Sequence, residues 1–363
     1  MKWAFIASGG GLGAYAFHVG VMRALEASGF RRRLANAARS APAADREIGL
    51  YVGSSAGACV ASAFAFFDSL DDVEGVIGIG STRHPLFTLR VLFRPHGRWL
   101  LPRSLSGLFY ADGVERYFRE RAHNNDFREI GPELFICATQ LNGSRKVVFG
   151  PSDSARAGVY DPFIGYYNDV PISEAIAASV SVPLVFQPYR IRNRASGNWF
   201  EYTDGEVRET LSLHVARDHA VDVAIASSTW LPYHWDPSLG SLGDLGVFRV
   251  LSQSITQMVE QKIDRIRNEA DRNGEAIERI REVAASERFT KAQTDRLVEA
   301  VTSALRHGTM KTLYVAPERT DSVFALAPRW SFERRHLEYA RDLGYDRALA
   351  ALADWKDADR AAP

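Results

Sequence analysis

Short, unbroken apolar runs alternate along the chain with stretches of helical spacing. Residues 3–7 (WAFIA) form one such run. It stops at Ser8-Gly9-Gly10-Gly11, and from Ala14 to Leu25 apolar side chains recur every three to four positions. The pattern predicts strand, glycine loop and helix. It then repeats, with IGLYV at 48–52 leading straight into Gly53-Ser54-Ser55-Ala56-Gly57 and a second helix to Phe67. Further strands are expected at 134–139, 146–149, 184–191, 221–227 and 312–316. Continuous apolar runs suit strands covered on both faces, and helices between them supply the cover. The expected fold is therefore α/β, three layers (α/β/α) around a mainly parallel central sheet.

Residues 248–306 have a different pattern, charge-rich and helical, with Ile255, Val259, Ile263 and Ile266 near helical spacing. Gly274 is the expected break, since glycine disfavours a helix interior. Strict heptads fail within two turns, so the segment is expected to pack on a domain edge with solvated outer faces. Residues 332–355 form a last amphipathic helix. The expected organisation is a core over 1–230, a helical insertion or extension over 231–310, and a closing strand and helix over 311–363 that complete the core.

Charge narrows the function classes. Lys and Arg total 44, as do Asp and Glu, in 363 residues of which 46% are hydrophobic. A nucleic-acid binder relying on counterion release would carry a basic excess, and a disordered chain would be poor in apolar residues. No nucleic-acid partner is expected. Cys59 and Cys137 lie in apolar runs without metal-ligand spacing, so neither a disulfide framework nor a metal site is expected, and no pattern calls for a cofactor. The first apolar run is too short for a signal sequence, no run reaches the roughly 18 residues of a membrane span, and Lys2 excludes myristoylation. These features point to a cytoplasmic protein, with any membrane contact peripheral.

Two glycine clusters carry the chemistry. Gly53-Ser54-Ser55-Ala56-Gly57 is G-x-S-x-G at a strand-to-helix junction, where Gly53 and Gly57 permit a sharp elbow that presents Ser55 as a nucleophile. The plainer reading is a helix N-terminus with Ser54 or Ser55 as its cap. Gly9-Gly10-Gly11-Leu12-Gly13-Ala14 also satisfies the loose dinucleotide fingerprint, but the second strand ends in the serine turn where that fold needs a ribose-binding acid. The reading that fits better is an oxyanion hole, with the amides of Gly9, Gly10 and Gly11 at a helix N-terminus. A base for the serine is harder to find. His214, His219, His234, His307 and His336 have no distinctive local setting, and the early elbow does not follow the α/β-hydrolase order.

Trp199-Phe200-Glu201-Tyr202-Thr203-Asp204-Gly205, an aromatic strand ending in Asp-Gly, stands out downstream. A glycine loop after the first strand, G-S-S-A-G after the second and Asp-Gly closing a later strand together resemble the patatin-like phospholipases. HVGVMRALE (18–26), CATQLNGSRKVVF (137–149), AIAASVSVPLVFQP (175–188) and LGYDRALAAL (343–352) extend the resemblance over much of the chain, with 230–310 unmatched. The resemblance implies a Ser-Asp dyad of Ser55 and Asp204, with the glycine loop as oxyanion hole. It implies hydrolysis of phospholipid or lysophospholipid esters through an acyl-enzyme. Four departures from the family pattern are visible. The glycine loop lacks a basic residue, Glu206 follows the Asp-Gly where a second glycine is frequent, Ser8 stands where plant-type members have Asp, and a downstream proline is replaced near Leu213. Two other readings stay open: a silent patatin fold that binds an acyl chain or a nucleotide, and a Ser-His-Asp esterase.

Residues 81–111 hold five arginines, among them Arg90, Arg94 and Arg98, beside Trp99 and other bulky apolar residues, with Asp and Glu absent before Asp112. Such a stretch suits contact with an anionic bilayer or a cap over the site. It equally suits an insertion with apolar residues packed inward and solvated arginines. Oligomeric state leaves no signature in the chain.

Overall fold

The serine turn and the glycine loop stand side by side because their strands do. The computed structural model describes residues 1–79, 106–122, 124–143, 145–152, 164–194, 196–234, 241–304, 310–327 and 329–361. It begins β1 (Trp3–Ala7), α1 (Gly11–Ala27), a two-residue β2 (Arg31–Arg32), β3 (Glu47–Ser54), α2 (Ala56–Phe66) and α3 (Leu70–Gly75). After α4 (Asp112–Arg121) come β4 (Glu133–Gln140), β5 (Arg145–Phe149), β6 (Ile164–Tyr167), α5 (Ile172–Ser179), β7 (Tyr189–Arg192) and β8 (Trp199–Asp204). The rest is α6 (Leu213–Asp218), β9 (Val223–Ser227), α7 (Val247–Ser286), α8 (Lys291–Ala304), β10 (Lys311–Val315), α9 (Ser322–Leu326) and α10 (Arg334–Ala361).

The sheet runs β10-β9-β1-β3-β4-β5-β6, and its first five strands are mutually parallel. All five residues of β1 and of β9 are buried, as unbroken apolar runs require of central parallel strands. One core lies on the side of α1, α2 and α10, built on Phe5, Tyr15, Phe17 and Phe64. A second, on the opposite face, gathers Ile6, Val52, Phe135 and Val215 with Val259 and Ile263 of α7. The fold is the three-layered α/β/α arrangement that the pattern predicts.

Three local expectations need correcting. Helix α7 runs through Gly274 without a break. Ile255, expected on the packed stripe, is 45% exposed. The strand expected over 184–191 shrinks to Tyr189–Arg192, because Pro183 and Pro188 withdraw amide donors and Leu184 adopts φ 71°.

Helices α1 and α10 approach closely enough to exclude side chains between them. A Cβ at Gly20 would lie 1.8 Å from the Arg341 carbonyl oxygen, and one at Gly344 would lie 2.1 Å from that of Phe17. Gly20→Ala is therefore expected to destabilise the protein by about 2 kcal/mol or more, despite alanine's better helix propensity. Gly274→Ala, with nothing within 4 Å of the added carbon, should gain about 0.5–1 kcal/mol. Urea denaturation of both variants checks the pair; equal midpoints would show that the helices shift apart at no cost.

Candidate active site

Strand β4 brings the serine and the aspartate together. Strand β3 pairs with its first half and ends there with Ser54 opposite Cys137. Strand β8 then takes over the same edge, antiparallel, with Asp204 opposite Ala138. The two strand ends thus meet at consecutive residues of β4. Thr203 and Asp204 are tied further to the carbonyl of Ser181, at 2.6 Å from the Thr203 hydroxyl and 3.0 Å from the Asp204 amide.

Ser55 occupies the strained corner that the motif predicts, at φ 56° and ψ −124°. Its flanking glycines are required by close backbone approach. A Cβ on Gly53 would lie 2.2 Å from the Gly57 carbonyl oxygen, and one on Gly57 equally close to that of Ala7. The Ser55 amide donates to Ser179 Oγ at 2.8 Å, and that hydroxyl donates to the Cys137 carbonyl at 2.7 Å. Ser179 therefore fastens the turn to β4, a role that only its place in the Ala177–Val182 run could have suggested.

Asp204 is buried, and desolvation pushes its carboxyl up to about 6; the neighbouring Ser55 hydroxyl and the Glu206 amide, which donates at 2.8 Å, hold the rise in check. Glu206 is also buried. Its Oε1 accepts from the Gly9 amide at 2.7 Å and its Oε2 from the Trp230 indole at 2.9 Å. Burial and then the neighbouring Asp204 charge push it up to about 7. The extra acid noted in the sequence is thus held in place by the glycine loop. Lys262 of α7 reaches the carbonyls of Glu206 and Val207 at 3.2 and 2.9 Å.

The three loop glycines have different partners. Gly9 packs against Ser55, whose Cβ would lie 2.9 Å from a Cβ on the glycine, but the Gly9 amide is engaged by Glu206. The Leu12 amide donates to the Arg329 carbonyl at 2.8 Å. Between them Gly10 (φ 133°) and Gly11 (φ 77°) open the helix, and among the described residues nothing accepts from their amides. Unpaired donors at a helix N-terminus favour a neighbouring negative charge.

Gly11, Leu12, Ser55, Val180, Phe186 and Trp330 wall a nearly closed cleft with about 10 Å³ free, space for about one water. Trp330 and Arg329 come from the segment before α10, where the sequence carries no recognisable signal. Among the described residues no histidine hydrogen-bonds Ser55 or Asp204. His214 bonds Glu209, His219 bonds the Val215 carbonyl and Ser152, and His336 bonds Ser331. His18, buried and pushed down to about 4, lies between Ser227 Oγ and the Ser8 carbonyl. His234 is exposed. Arg90, Arg94, Arg98, Trp99 and His307 lie outside the described residues. Among those described no cluster of residues suits a metal ion, and no helix is long and apolar enough to cross a membrane.

A family model described as patatin-like phospholipase matches residues 6–217. No curated protein matches the chain. The matched span contains the glycine loop, the serine turn and Asp204, and stops short of Trp230, Lys262, Arg329 and Trp330.

Proposed function

The chain belongs to the patatin-like phospholipase family, and on that premise we propose that it hydrolyses acyl esters of phospholipids or lysophospholipids with Ser55 as nucleophile and Asp204 as its base. The observation that carries the proposal is the convergence of β3 and β8 on adjacent residues of β4, which sets a strained serine beside a buried carboxylate. Asp204 takes the proton from Ser55 Oγ as that oxygen attacks the ester carbonyl. The oxyanion accepts from the Gly10 and Gly11 amides, near the positive end of the α1 dipole. Collapse breaks the bond to the alcohol, which leaves with the proton from Asp204, and the acyl group remains on Ser55. Water then attacks the acyl-enzyme, giving its proton to Asp204, and the fatty acid departs as the proton returns to Ser55. The cleft must widen before an acyl chain enters.

A fluorophosphonate probe tests this reading. It is expected to modify Ser55, as located by mass spectrometry, and Asp204 must be ionised to assist. With its pKa near 6, labelling should be about tenfold slower at pH 5 than at pH 7. A label on another residue would remove Ser55 from the mechanism, and a flat profile over that range would remove Asp204 as its base.

A further inference from the structure

The glycine loop borders a second cavity, whose wall does not include Ser55. Its free volume is about 320 Å³, within the range of small-molecule sites, and Gly10, Gly13, Ser252, Arg329, Ser331 and His336 contribute to its wall. Among the described residues no Asp or Glu lines it. Arg329 is its cation. One guanidinium nitrogen, Nη2, donates to Thr256 Oγ1 at 2.7 Å, and the group stacks 4.2 Å from the centroid of Trp230. The other, Nη1, is turned to the loop, 3.3 Å from where a Cβ on Gly10 would stand.

Glu206, the acid that supports the charge on Arg329, has both carboxylate oxygens committed to Gly9 and Trp230. Desolvation pushes the guanidinium down to about 10, so it stays charged at neutral pH. The guanidinium is buried and without an ion pair among the described residues, and Arg329 as a residue is half-buried and lines the cavity. Its Nη1, without an acceptor among the described residues, is left to donate to an incoming anion. Ser55 packs on Gly9 and the guanidinium on Gly10. The two groups thus stand against consecutive residues of one loop. An ester carbonyl and a phosphate carried on one glycerol are likewise separated by only a few bonds.

We propose that this cavity receives the phosphate of the substrate headgroup, with Arg329 as the recognising cation, so that the protein selects phosphate-bearing acyl esters over neutral glycerides. The assignment rests on the acyl-hydrolase reading of Ser55. It places a specificity determinant outside the span that the family model matches.

The test compares dihexanoyl phosphatidylglycerol with dihexanoylglycerol, both below their aggregation limits, in wild type, Arg329→Gln and Arg329→Lys. Arg329→Gln is expected to lower the phospholipid-to-glyceride ratio of kcat/KM by about tenfold or more, and Lys to restore part of it. Gly13→Leu provides a second route, since a Cβ there meets nothing within 4 Å and the side chain would fill the cavity while leaving Arg329 in place. It should lower the same ratio even if Arg329→Gln fails to fold. Calorimetric titration with sn-glycerol 3-phosphate and with inorganic phosphate completes the set. Glycerol phosphate should bind wild type and lose about tenfold in affinity in Arg329→Gln. Equal losses on both esters would overturn the proposal and leave Arg329 as packing for the loop. Binding of inorganic phosphate with an unmoved substrate ratio would overturn it in favour of a free-anion site. Should wild type hydrolyse neither ester, the acyl-hydrolase reading fails, and the titration alone still decides whether Arg329 binds a phosphate group.

Discussion

Ser55→Ala is expected to lower kcat/KM on a lipid ester by about 10⁴-fold or more, because removing the nucleophile leaves only the orphan amides and binding to act on the substrate. Loss of activity alone would not distinguish chemistry from misfolding. The backbone of Ser55 separates them. At φ 56° and ψ −124° the residue sits where glycine is at ease, so Ser55→Gly should be equally inactive and about 1 kcal/mol more stable than the alanine variant. Kinetics in a sample free of contaminating esterase, with urea denaturation in parallel, would check both halves. An alanine variant retaining a tenth of wild-type activity would sink the assignment.

Asp204→Asn is expected to cost about 10³- to 10⁴-fold, since the amide keeps the shape of the carboxyl and can still accept from the Glu206 amide, yet cannot take the serine proton. Stability should move the other way. Burial raises the carboxyl from 3.8 to about 6, so its favourable contribution is complete below pH 3.8 and is lost as pH rises through 6. Wild type thereby forgoes up to about 3 kcal/mol at pH 7, and the amide, which does not ionise, forgoes none. The variant should be the more stable protein at pH 7, by about 1–3 kcal/mol, with the gap narrowing towards pH 4. A histidine variant that folds and is as inactive as Ser55→Ala would instead establish a triad.

What the sequence disclosed was what short-range physics determines. Unbroken apolar runs identified β1 and β3 because strands buried on both faces need them, and glycine spacing identified the serine turn because its backbone approaches leave no room for a Cβ. The Asp-Gly closing β8 was visible only through likeness to a family. Its nearness to Ser55 arises from pairing along β4, a long-range fact that periodicity does not encode. Arg329 and Trp330 were illegible for the same reason: they lie in a short connection between α9 and α10, and acquire meaning only when that connection meets the glycine loop. Gly274 misled in the other direction. One glycine costs a helix about 1 kcal/mol, too little to interrupt the 40 residues of α7.

The embrace of α1 by α10 bears on the order in which the protein comes into being. Gly20 and Arg341 touch across more than three hundred residues of chain, and closing a loop of that length costs about 5 kcal/mol of entropy before any contact repays it. Strand β1 waits likewise for β9, a partner some 220 positions away. During synthesis the glycine loop and the serine turn leave the ribosome well before Arg329, which caps the Leu12 amide, and Trp330, which completes the cleft wall. An emerging chain therefore carries Ser55 without its finished surroundings until Arg329 and Trp330 have been made, and assembly of the site waits on them.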